Sequence, residues 1–232
     1  MTETSAAANL QALERYYRLQ AKIYDLSRWS FLFGRDRLLR LVAAHGRPQH
    51  VLEVGCGTGH NLVRLRQHFP GARLTGLDLS EAMLARARRK LAGTTPAVAW
   101  RRQAYDRPLQ EEPPFDLLLF SYALTMFNPG WEEAIAAAWA DLAPGGLVAV
   151  VDFHTSPFPL LVRWLAVNHV RVAGHLLPAL QRRFLPRRQE LRRAYGGLWT
   201  YFLFLGQKDG PISPPACDRR HSFLAKGPTD IV

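Results

Sequence analysis

The chain has 232 residues, enough for one domain with a full hydrophobic core and additional segments. Its composition, 48% hydrophobic and 21% charged residues, is typical of a globular protein and excludes an intrinsically disordered one. The formal net charge of +11 favours an anionic partner surface, either nucleic acid or phospholipid.

The cysteines and the hydrophobic pattern narrow the class of protein further. Cys56 and Cys217 stand far apart without metal-ligand neighbours, so neither a disulfide framework nor a metal site is expected. The first residues lack a basic start followed by an apolar core, so no signal peptide is predicted. The most hydrophobic long window, residues 158–180, contains arginines and histidines and cannot span a bilayer. We therefore expect a cytoplasmic protein.

A helical cap is predicted at the start of the chain, over residues 1–46. Apolar and aromatic residues recur at helical spacing over residues 10–26. A second helix is predicted from about Arg35 to Ala44, ending at Gly46 and Pro48. The residues between the two helices are unusually rich in aromatic and charged side chains for a linker.

The stretch from Val51 to Asn61, VLEVGCGTGHN, predicts a buried strand that runs through a glycine-rich turn into a helix. Glycine permits positive φ and close approach of a ligand, and a helix N-terminus offers free N–H groups. The spacing departs from the dinucleotide fingerprint G-x-G-x-x-G because the sixth position is His60, which disfavours a pyrophosphate ligand. Glu53, a carboxylate inside the strand, requires a cationic partner. S-adenosylmethionine, which carries an ammonium and a sulfonium and no phosphate, fits both features.

Asp78 completes this pattern at the end of a second predicted strand, residues 73–77. It follows Gly59 by 19 residues, close to the roughly 20-residue offset at which a carboxylate accepts ribose hydroxyls. A lone glycine turn is equally consistent with an ordinary strand-to-helix connection. With Glu53, the G-x-G-x-G spacing and Asp78 together, the sequence resembles the class I S-adenosylmethionine-dependent methyltransferases.

This resemblance implies a set of cofactor contacts along the chain. Gln103 stands where the class commonly has an acid that contacts the adenine amino group, and a glutamine amide can both accept and donate there. The candidate cofactor-binding residues are Glu53, Gly55, Cys56, Gly57, Gly59, Asn61, Asp78, Leu79, Gln103, Ala104 and Ser121.

The remaining elements alternate between helix and strand. Ser80 is predicted to cap a helix, FDLLLF at 115–120 to form a central strand, and 131–142 to form a helix before a strand at 147–151. A closing strand is predicted at 198–205, and no sixth strand is recognisable before it. The order predicts an α/β fold, a Rossmann-like doubly wound, mostly parallel seven-stranded-type sheet with an N-terminal helical cap. The predicted domains are 1–46, the cap; 47–208, the cofactor domain with a basic insertion at 155–197; and 209–232, a flexible tail.

A narrower resemblance concerns the acceptor of the methyl group. The segments Tyr17–Asp36, YRLQAKIYDLSRWSFLFGRD, and Ala194–Lys208, AYGGLWTYFLFLGQK, resemble bacterial diacylglycerylhomoserine N-methyltransferases of betaine-lipid synthesis. The resemblance implies three successive methylations of a lipid amine by a protein bound peripherally to the inner face of the membrane. A phosphatidylethanolamine N-methyltransferase is a close alternative. A nucleic-acid methyltransferase is disfavoured because no N/D-P-P-Y/F signature follows the fourth strand, and a non-enzymatic lipid- or RNA-binding module remains a further alternative.

The acceptor site is predicted from the position of polar and aromatic residues around this cleft. Tyr24 and Tyr122 are expected to line the acceptor amine, and Arg35 to bind its carboxylate. The membrane contact is expected from apolar residues after position 155 beside a group of arginines, although these same residues can instead pack on the sheet and face solvent. The apolar residues are Phe158, Leu160, Leu161, Trp164 and Leu165, and the arginines are Arg182, Arg183, Arg187, Arg188, Arg192 and Arg193.

Overall fold

Seven strands form a single sheet in residues 31–209, the part of the chain that the computed structural model describes. The strands are β1 His50–Val54, β2 Arg73–Leu77, β3 Ala99–Arg101, β4 Phe115–Ser121, β5 Leu142–Phe153, β6 Leu185–Ala194 and β7 Trp199–Gln207. The helices are α1 Arg35–His45, α2 His60–His68, α3 Glu81–Lys90, α4 Trp131–Asp141, α5 Pro159–Val167 and α6 Leu176–Arg183. Short 3-10 helices occupy Leu124–Met126 and Tyr195–Gly197.

The strand order of the sheet is β3-β2-β1-β4-β5-β7-β6. Neighbouring strands from β3 to β5 pair in parallel, and β7 runs antiparallel to both β5 and β6. The chain order reverses between β1 and β4, and ligands of open α/β sheets bind at the carboxyl ends of the strands beside such a reversal. The predicted Rossmann-like fold class is therefore confirmed. The predicted helix at 10–26 and nearly all of the tail lie outside the described residues.

Both faces of the sheet are covered, which explains the continuous apolar runs of its central strands. Consecutive residues of β4 point to opposite sides, so Leu117 and Leu118 belong to separate hydrophobic clusters. One cluster contains side chains of α1, α2 and α3, and the other contains side chains of α4 and α6. This packing fixes the strand ends from which the candidate site is built.

The sixth strand, which the sequence analysis did not recognise, forms the edge of the sheet. β6 has the sequence LPRRQELRRA and is exposed along most of its length, so it lacks the apolar alternation of a half-buried strand. It pairs with β7 from Leu185 opposite Gln207 to Ala194 opposite Trp199. Charged side chains are common on edge strands because they discourage pairing with another chain. The segment 155–197, expected as a basic insertion, thus contributes α5, α6 and β6 to the fold.

The group of six arginines predicted to face a membrane is divided between α6 and β6, and several members have partners within the protein. Arg183 lies over the ring of Trp139, with its guanidinium carbon 4.7 Å from the ring centroid. Arg188 and Arg192 both pair with Glu190, and Arg187 donates to the side-chain oxygen of Gln207. At least four of these arginines therefore make contacts within the protein, and a membrane role for the group stays a prediction.

Glu190 itself is held by a residue of α1. The Arg37 guanidinium donates to both carboxylate oxygens of Glu190, at 2.6 and 2.7 Å. These bonds hold the pKa of Glu190 down at about 2. The pair ties the edge of the sheet to α1.

Candidate active site

The turn between β1 and α2 leaves an open space at its centre. Gly57 has a φ of +52°, and a Cβ added to it would meet no atom within 4 Å, so the backbone here is open to a ligand. Gly55 has a φ of +69°, and its Cβ would stand 2.8 Å from the Cβ of Ala123, so packing requires glycine at that position. α2 begins directly after Gly59 without a side-chain cap, which leaves its first N–H groups beside the same turn.

Asp78 lies at the tip of β2 and organises this turn. One carboxylate oxygen accepts the backbone N–H of Gly57 at 2.8 Å, and the other accepts the N–H of Ser80 at 2.9 Å. Ser80 in turn caps α3, with its hydroxyl accepting the Met83 N–H at 3.4 Å as predicted. Each carboxylate oxygen has more than one lone pair, so Asp78 retains the capacity to accept hydroxyl groups of a ligand.

Glu53 is a buried carboxylate with an incomplete set of hydrogen bonds. Its Oε1 accepts the side-chain amide of Asn61 at 2.7 Å, whereas its Oε2 and the Oδ1 of Asn61 are buried without a hydrogen-bond partner. Burial raises the pKa of Glu53 to about 8, although the Asn61 hydrogen bond and the charge of Arg35 act in the opposite direction. A buried carboxylate is normally paired. Two orphaned acceptor oxygens at this place indicate a cationic hydrogen-bond donor.

These three features fit S-adenosylmethionine. Glu53 and Asn61 would provide acceptors for the ammonium of its amino-acid part, and Asp78 would provide acceptors for the ribose hydroxyls. Gly57 leaves room between them. Because the acceptors are carboxylates and an amide, the site suits a cation better than a phosphate.

The other predicted cofactor residues also lie at or just after the carboxyl ends of parallel strands. Ser121 is the last residue of β4, and its hydroxyl oxygen is buried without a hydrogen-bond partner. Leu79 follows Asp78 and is half-buried, whereas Gln103 and Ala104 follow β3 and are exposed. Burial raises the pKa of the Cys56 thiol well above its usual value, so this residue contributes its backbone rather than a reactive sulfur. The roles of these residues in cofactor binding remain predictions.

The structure describes two of the three predicted acceptor residues. Tyr24 lies outside the described residues. Tyr122, directly after β4, is buried, and its hydroxyl donates to the carbonyl oxygen of Phe33 at 2.8 Å. Arg35 begins α1, and its charge acts to lower the pKa of both Glu53 and Tyr122, so it lies near both residues. The structure thus brings Arg35 and Tyr122 to the same region, and their roles stay predictions.

Replacing Tyr122 by phenylalanine is expected to lower turnover while the affinity for S-adenosylmethionine stays within about twofold. The change keeps the ring, which packs edge-on to Phe153 with centroids 4.8 Å apart, and removes only the hydroxyl. Losing its bond to Phe33 should cost about 0.5–1.5 kcal/mol of stability. Steady-state kinetics and thermal unfolding check this. A lower unfolding temperature with the parent turnover would leave Tyr122 a purely structural role.

The structure also shows a buried acid, directly after the predicted strand at 147–151, to which no role was assigned from the sequence. Asp152 accepts the Thr125 hydroxyl at 2.6 Å, the Thr125 N–H at 3.1 Å and the Phe153 N–H at 2.8 Å. Burial raises its pKa to about 6. These bonds fix the 3-10 turn after β4 against the carboxyl end of β5. In the sequence, Asp152 directly follows the apolar run LVAVV, and this position at the end of a buried strand is the feature that could have identified it.

Comparisons with known proteins indicate the class of domain. Residues 51–146 match the family model described as "Methyltransferase domain". The chain is 41% identical over 115 residues to a trans-aconitate 2-methyltransferase of Methylobacterium nodulans, covering 50% of this chain and 42% of that protein. It is 30% identical over 139 residues to a demethylmenaquinone methyltransferase of Thermus thermophilus, covering 58% and 62%. The chain thus spans less than two thirds of the length of these curated relatives.

A solved structure shares the fold over most of the described residues. The N-methyltransferase NodS from Bradyrhizobium japonicum, in complex with S-adenosylhomocysteine, superposes with a TM-score of 0.63 at 21% identity, covering 75% of this chain and 85% of that one. The predicted class, an S-adenosylmethionine-dependent methyltransferase domain, is confirmed for the matched part of the chain. The relatives named above are not betaine-lipid enzymes, so the predicted lipid acceptor is not supported by these matches.

Proposed function

We propose that this protein is an S-adenosylmethionine-dependent N-methyltransferase that converts the amine of diacylglycerylhomoserine to a trimethylated betaine headgroup. The observation that supports this acceptor is the contact between the two segments that carry the narrower resemblance. Phe31 stacks on Trp199 with ring centroids 5.4 Å apart, and Phe33 meets Tyr195 edge-on at 5.3 Å. Phe33 also stacks on Tyr201 at 6.2 Å. These five residues form one aromatic wall from distant parts of the chain.

The aromatic wall is joined directly to the cofactor side of the cleft. The Phe33 carbonyl accepts the Tyr122 hydroxyl, and Gly34 leads into α1 at Arg35. A Cβ on Gly34 would stand 2.7 Å from the Tyr201 ring, so this close approach requires glycine. Aromatic faces and a phenolic oxygen suit an amine that gains methyl groups and ends as a permanent cation. The position of Arg35 directly after this part of the aromatic wall favours an acceptor with an amine next to a carboxylate.

The chain's contribution to catalysis is positioning. When bound, S-adenosylmethionine supplies an electrophilic methyl group on a sulfonium sulfur. Glu53 would hold the amino-acid end of the cofactor and Asp78 its ribose, and Arg35 would orient the acceptor through its carboxylate. A neutral amine is already a nucleophile and needs little help from a general base. Alignment of the reacting atoms therefore accounts for most of the expected rate gain.

A second candidate function is O-methylation of a small carboxylic acid. It is favoured by the relatives named trans-aconitate 2-methyltransferases, which are up to 41% identical over the shared region. Arg35 would hold a carboxylate of such an acid as well. The family match covers residues 51–146, whereas the aromatic wall includes residues 195–201, which lie beyond that match. The lipid amine is for this reason the first candidate.

An assay of the purified full chain with methyl-labelled S-adenosylmethionine separates the candidates. Diacylglycerylhomoserine and phosphatidylethanolamine would be offered in mixed micelles, and trans-aconitate in solution. We expect label in diacylglycerylhomoserine at a kcat/KM at least about tenfold above that for the other two. Phosphatidylethanolamine lacks the carboxylate next to the amine and trans-aconitate lacks the amine, and one lost contact of this kind is worth about that factor. Preferential labelling of trans-aconitate, or of phosphatidylethanolamine, would contradict the proposal.

Replacing Arg35 by glutamine is expected to raise the KM for diacylglycerylhomoserine by about tenfold or more. A charge-assisted hydrogen bond to the acceptor carboxylate, worth about 1.5–3 kcal/mol, would be lost. The affinity for S-adenosylmethionine should change little. Arg40→Gln, at an exposed position of the same helix, is the matched control and should behave as the parent. A weaker cofactor affinity with an unchanged acceptor KM would assign Arg35 to the cofactor instead.

A further inference from the structure

Helix α5 exposes apolar side chains along one face. Trp164 follows Leu160 by four residues, and Val167 follows Trp164 by three. At this spacing the three side chains lie on one face of the helix. Leu165 is the buried residue of this helix. The exposed fractions are 80% for Leu160, 79% for Val167, 52% for Trp164 and 49% for Phe158, which precedes the helix. A helix of a globular protein usually turns its apolar side inward, so this one is unusual.

The turn before β7 extends this surface. The Ser156 hydroxyl donates to the Leu198 carbonyl at 2.7 Å and accepts the Phe158 N–H at 3.2 Å, which places Leu198 beside the start of α5. Leu198 and Tyr195 are both exposed. Six of the eight large apolar side chains that are exposed in residues 31–209 thus belong to one region, here called the apolar face. Its members are Phe158, Leu160, Trp164, Val167, Tyr195 and Leu198.

The charges around the apolar face are positive. Arg163 is exposed on α5, Arg171 is exposed shortly after it, and Arg193 lies against the turn at Gly197. Residues 155–208 contain nine arginines and lysines and one acid, Glu190. That acid is held by Arg37, Arg188 and Arg192. A second copy of this chain would bring like charges together, whereas an anionic surface would complement them.

The apolar face is also close to the candidate active site. α5 follows the carboxyl end of β5, and Trp164 lies 6.5 Å, between ring centroids, from Phe31 of the aromatic wall. Within residues 31–209 no helix is long and apolar enough to cross a membrane. An exposed apolar helix face next to cations is the arrangement of a helix that lies in the membrane interface.

We propose that the apolar face docks on an anionic phospholipid bilayer, with Leu160, Trp164 and Val167 entering the interface and Arg163 facing the headgroups. The docking would bring a lipid headgroup to the aromatic wall without removing its acyl chains from the membrane. This purpose rests on the proposed lipid acceptor, whereas the docking itself can be measured without methyl transfer.

Sedimentation of the full chain with vesicles tests the docking. We expect binding to phosphatidylcholine vesicles that contain phosphatidylglycerol, weaker binding to pure phosphatidylcholine, and a loss of binding as salt is raised. The double variant Leu160→Ser/Val167→Ser should bind on the order of tenfold more weakly, because two apolar side chains no longer leave water. Both residues are largely exposed, so the fold should be retained, and circular dichroism and S-adenosylmethionine affinity would verify this.

The control is Leu185→Ser, which removes an exposed apolar side chain from the start of β6, at the opposite end of that strand from Tyr195. It should bind as the parent. Equal binding of the parent and the Leu160→Ser/Val167→Ser variant would overturn the proposal. So would an absence of binding, or a dimer of the parent that this variant dissociates, which would assign the face to a second copy. Methylation of the lipid in detergent micelles, measured in parallel, tests the proposed function separately.

Discussion

Replacement of Asp78 by alanine is expected to weaken S-adenosylmethionine binding by at least about tenfold. The carboxylate would no longer accept the ribose hydroxyls, each charge-assisted bond being worth about 1.5–3 kcal/mol. The variant also loses the acceptors of the Gly57 and Ser80 N–H groups, so the glycine turn itself should loosen. Isothermal titration calorimetry with S-adenosylmethionine measures the affinity.

The chain offers a matched control for this variant. Asp116, at the opposite end of the sheet, likewise accepts two backbone N–H groups, those of Gln49 at 2.6 Å and His50 at 3.0 Å. Asp116→Ala should therefore reduce the unfolding temperature by a similar amount and leave cofactor affinity unchanged. Equal affinities of Asp78→Ala and Asp116→Ala would remove Asp78 from the cofactor site.

Glu53→Gln is expected to lower cofactor affinity by a factor that grows with pH. The cofactor-free protein holds a proton on Glu53 up to a pKa of about 8, whereas the bound ammonium favours the ionised form. Parent affinity should therefore rise with pH by up to about tenfold per unit, until the ammonium of the ligand, an α-amino group with a pKa of about 7.7–8.0, loses its proton. The glutamine side chain keeps an oxygen that can accept from Asn61, but it carries no proton that titrates in this range. The loss should accordingly be small at pH 6 and at least about tenfold at pH 7.5.

The same carboxyl group makes stability depend on pH. The unfolded chain releases the Glu53 proton near its ordinary pKa of 4.5, and the folded chain near 8. The free energy of unfolding of the cofactor-free protein should therefore fall as pH rises from about 4.5 to 8, and Glu53→Gln should lack this decrease. Glu133→Gln, an exposed carboxylate on α4, is the control and should retain the parent pH profile. A flat parent profile for both affinity and stability would contradict the assigned state of Glu53.

The cofactor half of the site was predictable because its signals are local in sequence. Glu53, the glycines and Asp78 lie within 26 consecutive residues, and their relative positions follow from a strand, a turn and the next strand tip. The Glu53–Asn61 pair has the same local origin. The central strands were equally predictable from the sequence, because burial on both faces requires a continuous apolar run such as that at 115–120.

The acceptor half depends on contacts between distant residues, which a single sequence does not specify. The Tyr122 hydroxyl meets a carbonyl 89 positions away, and the Arg37–Glu190 pair spans 153 positions. β6 escaped recognition because its arginines carry no periodic apolar signal. The same arginines suggested a membrane surface. Several of them have partners within the protein, whereas Leu160, Trp164 and Val167 of α5 are exposed. The membrane hypothesis now depends on α5.

Lipid mass spectrometry after co-expression tests the central claim, methyl transfer to a lipid amine, most directly. Cells that lack betaine lipids would receive an enzyme that forms diacylglycerylhomoserine, together with this protein, its Asp78→Ala variant or its Asp116→Ala variant. The account predicts mono-, di- and trimethylated diacylglycerylhomoserine with the parent and with Asp116→Ala, and a strong reduction with Asp78→Ala. Unmodified diacylglycerylhomoserine in cells that contain the folded, cofactor-binding parent protein would contradict it.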